Sequence, residues 1–190
     1  MIHPNVLHNG QLRPAGEICL HAGQAGLFTG WGVFSTIKVS AGVLFAFERH
    51  WARLSRDAGL LRVPFPWDID TLRAQLLRLV QANQAHDATL RILVTRNAGT
   101  MWSHPVPGQP ADLVALTAPR SSWGASARLG IVANARHAGS RFAGSKTTSW
   151  AHNLVWYEEA HLQGHDEVLL LNERGRSEER RVGKECRSRW

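Results

Sequence analysis

Lysine is scarce in this chain: 22 basic residues include only Lys38, Lys146 and Lys184. Arginine is the default cation, so a lysine can stand where arginine's chemistry fails, losing its proton and attacking a carbonyl. Lys146 has the most suggestive setting, in "AGSKTTSWAHN", among small polar residues just ahead of a helix-like stretch. Desolvation and the positive end of a following helix would both disfavour its ammonium form. An amine tuned in this way can form a Schiff base, as lysines that hold pyridoxal phosphate (PLP) do.

The elements that must carry such a lysine can be read from apolar periodicity. "EICLHAG" reads as a short strand and "GLFTGWG" as a glycine-punctuated loop. "VFSTIKVSAGVLFAF" reads as a hairpin turning at residues 40–42, with Val33, Ser35, Ile37 and Val39 on one parity and Phe34, Thr36 and Lys38 on the other. Helical spacing follows, with Phe47, Trp51, Leu54 and Ala58 on one face, until "VPFPWD" interrupts it. A second helix is expected from the stripe Ile69, Leu72, Leu76, Leu79 and Val80, capped by Asp68 or Asp70. "ATLRILVTRN" and "ADLVALTA" read as strands around a Pro/Gly-rich loop.

Near residues 118–126 the composition turns small and polar, which places a domain boundary there. The strand "ARLGIVANA", a helix over about 147–163 and the strand "EVLLLN" follow; Trp150, Leu154 and Val155 are expected to form that helix's apolar face. The fold class is therefore α+β. An N-terminal two-layer domain (1–119) precedes the beginning of a second α/β domain (120–175), and residues 176–190 form a tail.

No run approaches the roughly 20 apolar residues a membrane helix needs, and the N-terminus lacks a signal-type apolar core, so the reading is cytoplasmic. Cys19 and Cys186 make no disulfide framework. The net charge is +7, yet six of the 22 basic and three of the 15 acidic residues lie in the tail, leaving +4 dispersed over the rest. That argues against nucleic acid as a partner. The tail "RSEERRVGKECRSRW" has no hydrophobic periodicity and resembles a translated sequencing adapter, so it is set aside from the fold.

"SKTTSWAHNLVWYEEAHLQGHDEVLLLNERG" is similar to the cofactor-lysine segment of the class IV, fold-type IV, PLP-dependent aminotransferases. The matching positions are Lys146, Asn153, Glu159-Ala160, Gly164 and Asp166-Glu167-Val168. "GWGVFSTIKVSAGVLFAFERHWARL" resembles the family's other signature, Gly-x-Gly-Val-Phe-Glu-Thr followed by His-x-x-Arg-Leu. The resemblance covers residues 5–175. It implies PLP as cofactor, Lys146 as the Schiff-base lysine and proton carrier, and Arg53 of His50-x-x-Arg53 as the phosphate ligand. Arg91 matches the arginine near the substrate carboxylate in branched-chain members, and Phe34 and Lys38 would line the same pocket. It further implies an amino acid and a 2-oxo acid as substrates, a homodimer, and no metal.

Ser35 stands where many members have Glu, and Met101 stands where members acting on D-amino acids have Arg, which counts against that specificity. The family's acid for the pyridine nitrogen is expected beyond Gly175, so the chain reads as C-terminally truncated and inactive by itself. Within the family the alternative activity is a 4-amino-4-deoxychorismate lyase, which releases pyruvate and 4-aminobenzoate. Outside it, the alternative is a non-enzymatic basic binding module.

Overall fold

The computed structural model describes residues 1–18, 20, 23–99, 109–121 and 125–177. The chain forms two compact units, one of residues 1–120 with 146–148, the other of residues 121–145 and those from 149 onward. Lys146 thus belongs with the first unit, although the segments on both sides of it belong to the second.

The first unit is built on an antiparallel sheet of six strands in the order β2-β1-β6-β5-β3-β4. In chain order these are β1 (Asn5–His8), β2 (Gln11–Pro14), β3 (Gly32–Ser40), β4 (Val43–Leu44), β5 (Ala88–Arg96) and β6 (Ala111–Pro119). Strand alternation sends Val33, Ile37 and Val39 of β3 to one face, with Leu90, Ile92 and Val94 of β5 and Leu113 and Ala115 of β6. Helices α2 (Phe47–Leu60) and α3 (Ile69–Ala82) cover that face with Leu54, Ala58, Leu72, Leu76 and Leu79, all fully buried. This is the two-layer arrangement expected from the sequence. Asp68 is the cap of α3, its carboxylate accepting from the backbone N–H of Asp70 and Thr71.

Some expectations fail. The expected strand at 17–23 is absent among its described residues, where Ala15–Glu17 form a 3-10 turn and Ile18 and Leu20 are irregular. The expected loop "GLFTGWG" contains a short helix, α1 (Ala25–Thr29), ended by Gly30 in the left-handed conformation (φ 63°). The hairpin β1–β2 went unforeseen. Its turn, Asn9-Gly10, has both residues at positive φ (48° and 83°), and such turns match the twist of the strands they join.

The second unit holds β7 (Leu129–Arg136), α4 (Ala151–Leu162) and β8 (Glu167–Asn172), with β7 and β8 parallel. Parallel neighbours need a long crossover, and residues 137–166 supply it. Helix α4 starts four residues later than expected, and its exposed residues include Leu154 and Val155, each half accessible. Its side toward the sheet is instead Ala160 with Trp156 and Tyr157, packed on Val132, Val168 and Leu170. At about 100° per residue, Leu154 and Val155 lie about 100° and 200° round the helix from Asn153, off the face that Asn153, Trp156, Tyr157 and Ala160 share. Glu158 and Glu159 are exposed.

Among the described residues no helix is long and apolar enough to cross a membrane. Cys19, Lys184, Cys186 and Met101 lie outside the described residues, as does the tail from residue 178.

Candidate active site

Lys146 is 3 % exposed, an unusual burial for a lysine. The segment 146–148 lies along the edge of β3 as a short strap. Thr147 bridges Val33, the Phe34 amide donates to the Lys146 carbonyl (3.1 Å), and the Thr148 amide donates to the Gly32 carbonyl (3.0 Å). The Thr148 hydroxyl adds a 2.6 Å bond to the Gly30 carbonyl. The backbone N–H of Lys146 donates to Asp57 Oδ2 of helix α2 at 3.1 Å. Both main-chain groups of the lysine are therefore held.

Gly32 explains the Gly-x-Gly spacing. A Cβ there would lie 2.6 Å from the Val94 carbonyl oxygen and 2.8 Å from Thr148 Oγ1. Only a residue without a side chain lets β5 and the strap approach β3 together.

On the helix-facing side of the sheet, α2 presents His50, Arg53 and Asp57. Arg53 donates to Ser35 Oγ (3.1 Å) and lies 3.3 Å from His50 Nδ1, which is 2.9 Å from the same Ser35 hydroxyl. Arg53 is half-buried, whereas Ser35 and His50 are buried. Ser35, at the position where the family resemblance led one to expect Glu, thus contacts the very arginine the motif singles out.

Phe34 lies on the opposite face of β3, and two cations sit against its ring. The Arg91 guanidinium carbon is 4.4 Å from the ring centroid and Lys146 Nζ is 5.7 Å from it. Burial pulls the Arg91 pKa below its ordinary value. Arg91 and Thr36 face each other across the β3–β5 pair. Arg91 Nε and Thr36 Oγ1 are both buried, and among the described residues neither has a hydrogen-bond partner. Lys38 shares this face but lies four residues beyond Phe34, about 13 Å along the strand, and is half-buried.

The geometry thus brings Lys146, Phe34 and Arg91 together, sets Arg53 on the neighbouring helix with Ser35 and His50, and leaves Lys38 apart. A buried lysine and a half-buried arginine beside one aromatic ring, with orphaned polar atoms next to them, suit an anionic ligand. A guanidinium reaching a hydroxyl and an imidazole suits a phosphate. These residues fit the amine, phosphate and carboxylate contacts a PLP enzyme requires. Sequence reasoning missed Asp57; its signal was an acid four residues after Arg53, between Leu54 and Ala58 of the helix's apolar face.

Residues 32–179 match the amino-transferase class IV family. The chain belongs to that family. It is 31% identical to the D-alanine aminotransferase of Bacillus licheniformis over 114 residues, which are 60% of this chain and 40% of that protein. The D-amino-acid transaminase of Arabidopsis thaliana chloroplasts is 29% identical over 76 residues, 40% of this chain and 20% of its own length. In fold, the chain is similar to the branched-chain amino acid aminotransferase of Escherichia coli (TM-score 0.78, 22% identity, 91% of this chain and 61% of that one). The chain spans less than half the length of the curated relatives it matches.

Proposed function

We propose that the protein uses pyridoxal phosphate to move an amino group between an amino acid and a 2-oxo acid, with Lys146 as the reacting amine. The observation that carries this reading is a lysine buried to 3 % with its amine beside Phe34 and Arg91, in a chain of class IV family membership.

The cofactor, when bound, supplies an aldehyde carbon that condenses with amines and a ring that withdraws electrons from the substrate Cα. Arg53 binds its phosphate with a planar, permanently charged donor pair, and Ser35 and His50 hold that guanidinium in place. Arg91 binds the substrate carboxylate, its ion pair strengthened by burial, while Thr36 offers a hydroxyl beside it. Phe34 lies beside the Lys146 amine, its ring centroid 5.7 Å from Nζ. Nζ of Lys146 would take the proton from the substrate Cα.

The substrate side has two readings. A branched-chain amino acid is supported by the strand arginine Arg91, and a D-amino acid by the names of the curated relatives. Incubating PLP and this chain, carried on to the length of its relatives, with 2-oxoglutarate and either L-leucine or D-alanine, and measuring the new 2-oxo acid, separates them. Pyruvate formed from 4-amino-4-deoxychorismate alone would select the lyase reading. No product from any of the three would count against the proposal.

A further inference from the structure

Asp57 is a costly residue where it stands. Its side chain is buried, the whole residue being 1 % exposed, and it lies in the last turn of α2, where backbone carbonyls make the potential negative. A buried carboxylate in such a place must be offset by specific partners. It has two: Arg56 donates to Oδ1 through Nε (3.0 Å) and a terminal nitrogen (2.7 Å), and the Lys146 backbone N–H donates to Oδ2. The second contact joins residues 89 apart in sequence. Arg53 precedes Asp57 by four residues, so both project from the same side of α2. One rigid helix turn therefore holds the guanidinium read as the phosphate ligand and the main chain of the lysine read as the reacting amine. The strap's main-chain bonds with Phe34 and Gly32 are to the backbone of β3, and the Thr148 hydroxyl bonds the Gly30 carbonyl.

We propose that Asp57 is a positioning residue, which fixes the main chain of Lys146 relative to Arg53 and so sets the reach of the amine toward a phosphate-anchored cofactor. The catalytic half of this inference rests on the reading of Lys146 given above; the clamp itself does not.

The test compares D57A and D57N with the unaltered chain by residue-resolved amide hydrogen exchange. In D57A the Lys146 amide should exchange at least about tenfold faster, as expected on losing a bond to a charged acceptor. The amides of Leu54 and Ile92, in the core, should not change. D57N keeps an acceptor oxygen and should retain most of the Lys146 protection. If D57A does not fold, D57L fills the buried volume without an acceptor and serves instead. With PLP added, the acceptor-free variant should keep a PLP Kd within about threefold while borohydride-trapped label on Lys146 accumulates about tenfold more slowly. Unchanged Lys146 exchange in the acceptor-free variant overturns the clamp. So does loss of protection that runs in step with Leu54 and Ile92, which would make Asp57 merely structural. A PLP Kd that weakens as much as trapping slows would overturn the positioning role. Absence of trapping in the unaltered chain counts against Lys146 as the reacting amine and leaves exchange to decide the clamp.

Discussion

Gly32→Ala is the sharpest perturbation the structure offers, because one methyl group would collide with two different elements. The new Cβ would meet the Val94 carbonyl oxygen at 2.6 Å, Thr148 Oγ1 at 2.8 Å and Thr95 Cγ2 at 3.1 Å. Val94 lies in β5, which is paired on both sides, so its backbone cannot yield without disturbing the sheet. Thr148 can yield, but only by giving up its hydroxyl bond to Gly30 and crowding the strap. Overpacking costs about 1–3 kcal/mol and the lost hydrogen bond about 1 kcal/mol, so the variant should be destabilised by about 2–4 kcal/mol. Urea unfolding should show this as a lower midpoint at unchanged slope. Gly59→Ala is the matched control. Gly59 lies within α2, an added Cβ there meets nothing within 4 Å, and the change should stabilise by about 0.5–1 kcal/mol. Gly32→Ala within about 0.5 kcal/mol of the unaltered chain, a surface-substitution effect, would refute the steric argument for the Gly-x-Gly spacing.

Borohydride reduction of the chain with PLP should leave the pyridoxyl group on Lys146; peptide mapping that finds it on Lys38 would remove Lys146 from the chemistry. Arg53→Ala should weaken PLP binding about 10–150-fold, the loss of a charge-assisted contact, while Arg49→Ala, exposed on the same helix, should change the Kd little. Arg56 is no neutral control, because it pairs with Asp57. The backbone N–H and side chain of Thr71 are the main cause of the lowered Asp68 pKa. Its folded value being depressed, the stabilisation is present above the unfolded pKa and lost as pH falls through the folded one. Asp68→Ala should therefore lower the urea midpoint at pH 7, with the difference closing at strongly acid pH; a difference that persists there would contradict the charged-cap account.

Long periodic segments were legible in the residues alone. The stripe Leu72, Leu76, Leu79, Val80 repeats a single period over nine positions and its buried face follows it, while the parity of β3 sets which of its residues meet the helices although residues 32–37 are buried on both faces. The hairpin β1–β2 was harder, because four-residue strands offer at most two apolar positions, although Asn9-Gly10 announced the turn. Helix α1 was hidden by glycines that act at its end and just beyond it. The apolar pair Leu154-Val155 misled because hydrophobicity says what tends to be buried, not what is available to bury it. For the site, the resemblance singled out Lys146, Arg53, Arg91 and Phe34; Lys146 and Arg91 lie against the Phe34 ring, and Arg53 meets Ser35 on the other face of β3. Asp57 and the pairing of Ser35 with His50 and Arg53 could not be read, since each depends on a tertiary contact with no local periodicity. The same holds for the separation of Lys38 from Phe34, which appears only once the strand is seen to run straight.

The strap also has a place in time. β4 covers only Val39 and Ser40 of β3, so the outer edge of that strand near Val33 is closed by residues 146–148. The last strand of that sheet ends at Pro119, 29 residues before Thr148, which at ribosomal rates of 5–20 residues per second means about 1.5–6 s of synthesis. During that interval the nascent sheet can assemble from β1 to β6, yet it carries an open β edge of the kind that recruits other chains. The arrival of Lys146 ends that exposure. The segment that carries Lys146 thus also closes this edge of the sheet, and substitutions in the strap should reduce soluble yield.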